Sequence, residues 1–178
     1  MLILLNIQNL EMNYFELFGL PVAFSTDKNQ LRAAFMNIQR ASHPDKFAQS
    51  TEIEQELALE QSAMANKGFT LLNNNEQLLP YVLEITGHIV PDEKYNLAPD
   101  FLMEMMELNE GWMDADTEEQ KQIILDQINT LKNDIFSPIK AHLEANSIID
   151  IPQEAMLQIK DYYYKKKYLD RILEDFHH

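Results

Sequence analysis

A chain of 178 residues with 46% hydrophobic content is long enough to bury one larger core or two small ones, which sets intrinsic disorder aside. Its formal net charge of −15, from 14 Lys and Arg against 29 Asp and Glu, repels polyanions; nucleic acid and anionic membrane are excluded as dedicated partners, and proteins or cationic patches are favoured. Without cysteine the chain itself offers no disulfide, thiolate zinc site or iron–sulfur ligand, which fits a cytoplasmic setting and predicts no cofactor.

Only four glycines and long stretches of apolar residues at three- and four-residue spacing predict an all-α protein with almost no strand candidates. The stretch 1–11, MLILLNIQNLE, is apolar but short and lacks a basic start, so it reads as an N-terminal extension, with Met12 an alternative start. A short helix over Tyr14–Phe18 stops at Gly19–Leu20–Pro21. Asp27 caps a second helix with the apolar stripe Leu31, Ala34, Phe35 and Ile38, ended by Pro44. Beyond a turn, Ser50 or Thr51 caps a longer helix to about Leu72, with Leu57, Gln61, Ala65, Gly68 and Leu72 on one face, so the pair forms an antiparallel hairpin. The pattern breaks at 73–75 and resumes despite Pro80, and 88–98 reads as a linker. Three further helices follow, about Pro99–Met113, Glu118–Glu144 and Pro152–Phe176, the middle one opened by a Thr117/Gln120 capping box and kinked at Pro138. His177 and His178 read as a tag remnant.

The tip of the hairpin, RASHPDKFAQ (40–49), has two readings from its residues alone: turn chemistry at a helix junction, or a docking element. Charge favours the second. Between Lys28 and Lys46 stand four basic residues, Lys28, Arg32, Arg40 and Lys46, and one acid, Asp45, on a chain otherwise strongly acidic. A basic island there points to an acidic partner surface.

In the helix predicted near 101–114, Phe101, Met105, Leu108 and Trp112 fall in one narrow stripe at 100° per residue, enough to face a bundle core and bury Trp112. Leu102, Met106 and Met113, with Met103 at the edge, make a second apolar face rimmed by Glu107, Glu110 and Asp114. That face is either a second buried side or an exposed Met-rich binding surface, on which Leu102, Met103 and Met106 are expected to be exposed. On the last helix Ile159, Tyr162, Leu169, Leu173 and Phe176 supply a core face, and Tyr168 points away from it. An enzyme or metal reading would have to use His43, His88 and His142, which have no ligand spacing, so no catalytic group and no metal site are expected.

The HPDK at 43–46, with LRAAFMNIQRAS before it, the opening YFELFGLP and the later QSAMANKGFTLL, resembles a J-domain, the module of DnaJ-type co-chaperones. More narrowly, FELFGLP and HPDKFA, followed by FLMEMMELNE and KKYLDRI, resemble the HscB co-chaperones of iron–sulfur cluster assembly over nearly all of Met12 to Phe176. The resemblance implies a J-domain at 12–87, a linker at 88–98 and a C-terminal three-helix bundle at 99–178. It implies that His43, Pro44, Asp45 and Lys46, with Lys28, Arg32 and Arg40, bind a DnaK/HscA-type chaperone and stimulate its ATPase. It further implies that Leu102, Met103, Met106, Glu107, Glu110 and Tyr168 bind an IscU-type cluster scaffold, and it favours a monomer; the alternative is a J-domain protein with another client or a dimerising C-terminal domain. The sequence departs from the family in four places: no basic residue in NNNEQLLPYVL, Gly68 where alanine is common, Met106 where leucine is usual and Gly111 in place of an acid. A mid-helix glycine costs about 1 kcal/mol against alanine.

Overall fold

The computed structural model describes residues 12–176, so the extension 1–11 and His177–His178 lie outside the described residues. Among the described residues there is no strand, and the helices are α1 (Tyr14–Phe18), α2 (Lys28–Ala41), α3 (Pro44–Phe47), α4 (Glu52–Asn73), α5 (Asn75–Ile85), α6 (Pro99–Met113), α7 (Glu118–Phe136), α8 (Lys140–Leu143) and α9 (Gln153–Phe176). They fall into two compact units, one made of Met1–Ile85, as far as described, with Glu144–Ile149, and the other of Thr86–Leu143 with Asp150–His178, as far as described.

In the first unit, local chemistry sets the helix ends. Asn13 and Glu16 form a capping box for α1, and Gly19 closes it at φ 64°, a left-handed conformation that favours glycine. Asp27 caps α2, and Thr51 with Glu54 forms the box that starts α4. The α2–α4 pairing is antiparallel: the ammonium of Lys28 donates to the carbonyl of Asn73, while near the other end Gln39 bonds to Ser62 and Asn66. Leu31 is fully buried between the helices, Phe35 stacks on Phe69 at 4.4 Å, and Ala58, Gln61, Ala65, Gly68 and Leu72 are the buried positions of α4; Leu57 is only half-buried.

Gly68 has a specific reason to be glycine. A Cβ there would stand 2.7 Å from Cδ1 of Tyr14 and 3.0 Å from Phe18, so its absence lets α1 lie directly on α4. The intrinsic helical cost of glycine is met by the burial of Phe15 and Phe18. The segment Glu144–Ile149 joins this unit, where the amide of Ile148 donates to the carbonyl of Val22.

The second unit packs α6, α7 and α9 around Phe101, Met105, Leu108, Ile124, Ile128, Leu169 and Ile172. The Thr117/Gln120 capping box forms. Proline has no N–H to donate, and at Pro138 the regular helix gives way to a 3₁₀ turn, Ser137–Ile139, before α8 resumes. The stretch 88–98, expected to be a linker, is instead fastened along α9. Tyr95 stacks on Tyr164 at 4.4 Å and 6°, its hydroxyl donates to Asp161, and Lys160 pairs with Glu93. The hydrogen bond from Lys160 holds the Glu93 carboxyl below its usual range, whereas burial, reinforced by neighbouring carboxylates, pushes the phenols of Tyr95 and Tyr164 up to about 12. The segment reads as a linker because Pro91 interrupts it and Pro99 follows it, but an aromatic and an ion pair within a few residues are enough to anchor it.

Candidate functional site

The tip of the hairpin is a helical turn rather than an open one. Ser42 is buried at the end of α2 and its hydroxyl returns to the carbonyl of Ile38. His43 is extended (φ −63°, ψ 131°), the conformation favoured before proline, and Pro44 occupies the first position of α3, where its missing N–H costs nothing. The His43 Nδ1 accepts from the amide of Asp45 at 3.3 Å, so the imidazole serves as the N-cap, with its proton on Nε2 when neutral. Phe47 is half-buried and α3 rests on α4.

The result is a fixed pedestal with a bare charge on it. The Asp45 side chain is 91% exposed and meets only His43 Nδ1, 3.6 Å away. Among the described residues Arg32, Arg40 and Lys46 are exposed and form no ion pair. Lys28 stands apart: it lies twelve residues before Arg40, about 18 Å along the helix, and its ammonium is on Asn73. Met36 went unnoticed in the sequence. It is 41% exposed and, at four-residue spacing between Arg32 and Arg40, completes one stripe along α2. The spacing was legible, but a lone methionine gives no signal until the inward face is known.

In the second unit, Met103 (57%) and Met106 (60%) are exposed on α6 as expected, and Met113 (78%) is exposed with them. Three expectations need correction. Leu102 is half-buried rather than exposed. Trp112 is half-buried rather than buried: its ring stacks on Phe176 at 4.3 Å under the ammonium of Lys121, at the open end of the core. Tyr168, expected to point away, packs edge-on against Phe101 at 6.1 Å, which brings it beside the start of α6. The rim also divides. Glu107 lines a groove between α6 and α7 with Glu104, Asp126 and Asp134 over Leu108 and Leu131, whereas Glu110 lies outside that groove. Gly111 faces Ile124, whose Cδ1 would be 3.4 Å from an added Cβ. Among the described residues no cluster of three or more His, Asp or Glu is disposed to hold a metal, and no helix is long and apolar enough to cross a membrane.

A charged tip on one helical unit and a methionine face on the other place distinctive exposed groups on the surface of an all-helical protein. Comparison with known proteins makes the class specific. Residues 97–177, from just before α6 through α9, match the family model described as the HSCB C-terminal oligomerisation domain. The chain is 31% identical over 169 residues to the co-chaperone protein HscB homolog of Aliivibrio salmonicida, covering 92% of this chain and 94% of that protein. The homolog of Vibrio atlanticus is 32% identical over 166 residues, covering 90% and 92%. Among solved structures, the chaperone HscB from Vibrio cholerae is 28% identical with a TM-score of 0.60, covering 93% of this chain and 96% of that one. Human co-chaperone HscB, at 23% identity and a TM-score of 0.66 over 93% and 80%, shares the fold. The chain belongs to the HscB family of co-chaperones.

Proposed function

We propose that the first unit is a J-domain that recruits a DnaK/HscA-type chaperone and stimulates its ATPase, and that the second presents an IscU-type scaffold to it in iron–sulfur cluster assembly. The observation that carries this reading is the Asp45 carboxylate, 91% exposed on a capped, rigid turn. A carboxylate so placed is available to a partner arginine without any change in the fold. Arg32, Met36, Arg40 and Lys46 supply a charged and partly apolar flank that guides the encounter and fixes its register, while Lys28 adds charge at the far end. On α6 the exposed Met103, Met106, Glu107 and Glu110 and the half-buried Leu102, with the half-buried Tyr168 of α9, support the scaffold assignment, because methionine surfaces adapt to an apolar partner. Joining both surfaces in one chain raises the scaffold's effective concentration at the chaperone.

Single-turnover ATP hydrolysis by the chaperone tests the tip. Asp45→Asn is expected to abolish stimulation and leave the helical content and melting temperature unchanged; stimulation equal to wild type would overturn the assignment. The description of the 97–177 family as an oligomerisation domain favours one second reading, self-association through the α6 methionine face. Sedimentation with and without scaffold separates the two: a dimer dissociated by Met103→Ala/Met106→Ala would favour the second.

A further inference from the structure

The cations of α9 are mostly neutralised within the unit. Lys160 pairs with Glu93, Lys165 with Asp161, and Lys166 with Asp170, which also receives Lys132 from α7. Arg171 is different. It is exposed, and among the described residues it forms no ion pair or hydrogen bond, although Asp170 precedes it and Glu174 and Asp175 follow at the three- and four-residue spacings that normally pair on a helix. Its guanidinium instead lies over the ring of Tyr168, 4.8 Å from the centroid. Lys167 is also unpaired, but it has no ring to hold it. The Tyr168 ring is in turn fixed edge-on by Phe101, the residue before Leu102.

We infer that Arg171 is a partner-reading residue: held over the ring of Tyr168, it receives a carboxylate of the protein that docks on the α6 methionine face. The inference rests on the scaffold-binding reading and deepens it by naming the chemistry the partner presents. With the guanidinium over the ring and Arg171 exposed, its N–H donors remain open to solvent while the ring restrains the side chain, so less side-chain freedom is lost on binding a bidentate acceptor. On a chain of net charge −15 an acid on the partner is repelled almost everywhere. A single preorganised arginine beside an apolar patch therefore fixes which way round the partner sits, with its acid at the α9 side and its basic groups toward Glu110 on α6.

Calorimetric titration of the full chain with the purified IscU-type scaffold tests this. Arg171→Gln is expected to weaken binding about tenfold, as for one charge-assisted hydrogen-bonded pair, and Arg171→Glu more strongly. Arg171→Lys should not restore affinity, because an ammonium has no fork. Thermal unfolding of all three variants should match wild type. One Asp→Asn or Glu→Gln substitution on the scaffold should be non-additive with Arg171→Gln. Unchanged affinity in Arg171→Gln, while Met103→Ala/Met106→Ala weakens binding, overturns the inference and leaves the scaffold reading standing. Full rescue by lysine, a lowered melting temperature that accounts for the loss, or no coupled carboxylate on the scaffold also overturns it. If the wild-type chain fails to bind the scaffold, the reading beneath it fails and the inference goes with it.

Discussion

The tip of the first unit and the α6–α9 side of the second, the two surfaces proposed for recognition, are built in opposite ways. At the tip the charges are left bare: Asp45 meets only its own N-cap imidazole, and among the described residues Arg32, Arg40 and Lys46 form no ion pair. On α9 most cations are matched by carboxylates of the same unit, and the exposed large apolar groups of α6 are methionines. Bare charges act at a distance and are screened by salt, whereas buried apolar contact acts only when water has left. The first surface is thus suited to a fast, salt-sensitive encounter and the second to a contact whose strength lies in dissociation.

The largest effect that would break this contrast is on scaffold affinity. Met103→Ala with Met106→Ala should weaken binding ten- to hundredfold, since apolar anchors near an interface centre carry most of its energy. Both side chains are more than half exposed, so stability should change by no more than about 0.5 kcal/mol. Leu102 is left out of this pair because it is half-buried, and its truncation would mix a packing loss into the result. Arg32→Ala with Arg40→Ala should leave scaffold affinity unchanged; a loss there in titration would mean that the two surfaces are not separate.

Two glycines sharpen the contrast in stability. Gly68→Ala puts a methyl 2.7 Å from the Tyr14 ring, and the strain of overpacking, about 1–3 kcal/mol, exceeds the gain of up to about 1 kcal/mol in helix propensity. At Gly111 the nearest atom is the flexible end of Ile124, at 3.4 Å, so Gly111→Ala should stabilise by about 0.5–1 kcal/mol. Chemical denaturation should therefore move in opposite directions for the same substitution. Equal shifts would show that α1 does not rest on Gly68.

A smaller effect is expected in the salt dependence of the chaperone encounter. As the Debye length falls to about 8 Å and then toward 3 Å, association with the chaperone should slow several-fold, since in the proposed encounter Lys28, Arg32, Arg40 and Lys46 carry the steering. Scaffold dissociation should change much less. Stopped-flow association rates independent of salt would remove steering from the account of the tip.

What was legible in the sequence divides by range. Caps and breaks act within four residues, and so Asp27, Thr51, Thr117, Gly19 and Pro138 could be read directly from their neighbours. The inward stripe of α6 followed from its period, and the exposed methionines followed from that stripe. What escaped depends on groups far apart in the chain. Gly68 looked like a cost until Tyr14, fifty-four residues earlier, was seen above it. Tyr168 looked outward because a helical wheel of α9 alone does not know where α6 lies. The His43 cap required the knowledge that a proline-led turn of helix, rather than a loop, follows it.

The anchoring of 88–98 carries the finest distinction between the units, because it rests on titratable groups. Tyr95 and Tyr164 are raised from an ordinary 10.0 to about 12, chiefly by burial, with the acceptors Asp161 and Glu93 adding to the shift. A group whose folded pKa is raised contributes stability that is complete below its unfolded pKa and is lost as pH rises toward the folded value, so this contribution should fade between about 10 and about 12. Each phenolate would then face a carboxylate across a stacked ring pair, which loosens the segment from α9. Glu93 has the opposite sign: lowered by Lys160, it adds stability above its ordinary 4.5 that is lost as pH falls through its folded value. Ultraviolet absorbance should therefore show Tyr95 and Tyr164 ionising well above the ordinary 10.0, and a fluorescence or circular-dichroism change confined to the second unit should accompany them. Tyr95→Phe should remove one late proton and loosen the segment at neutral pH, because the hydroxyl bond to Asp161 is gone. Ionisation of Tyr95 and Tyr164 near 10, read as the difference between wild type and the Tyr95→Phe and Tyr164→Phe variants, would mean that the segment does not stay fastened in solution, and 88–98 would revert to the linker that Pro91 and the following Pro99 suggested.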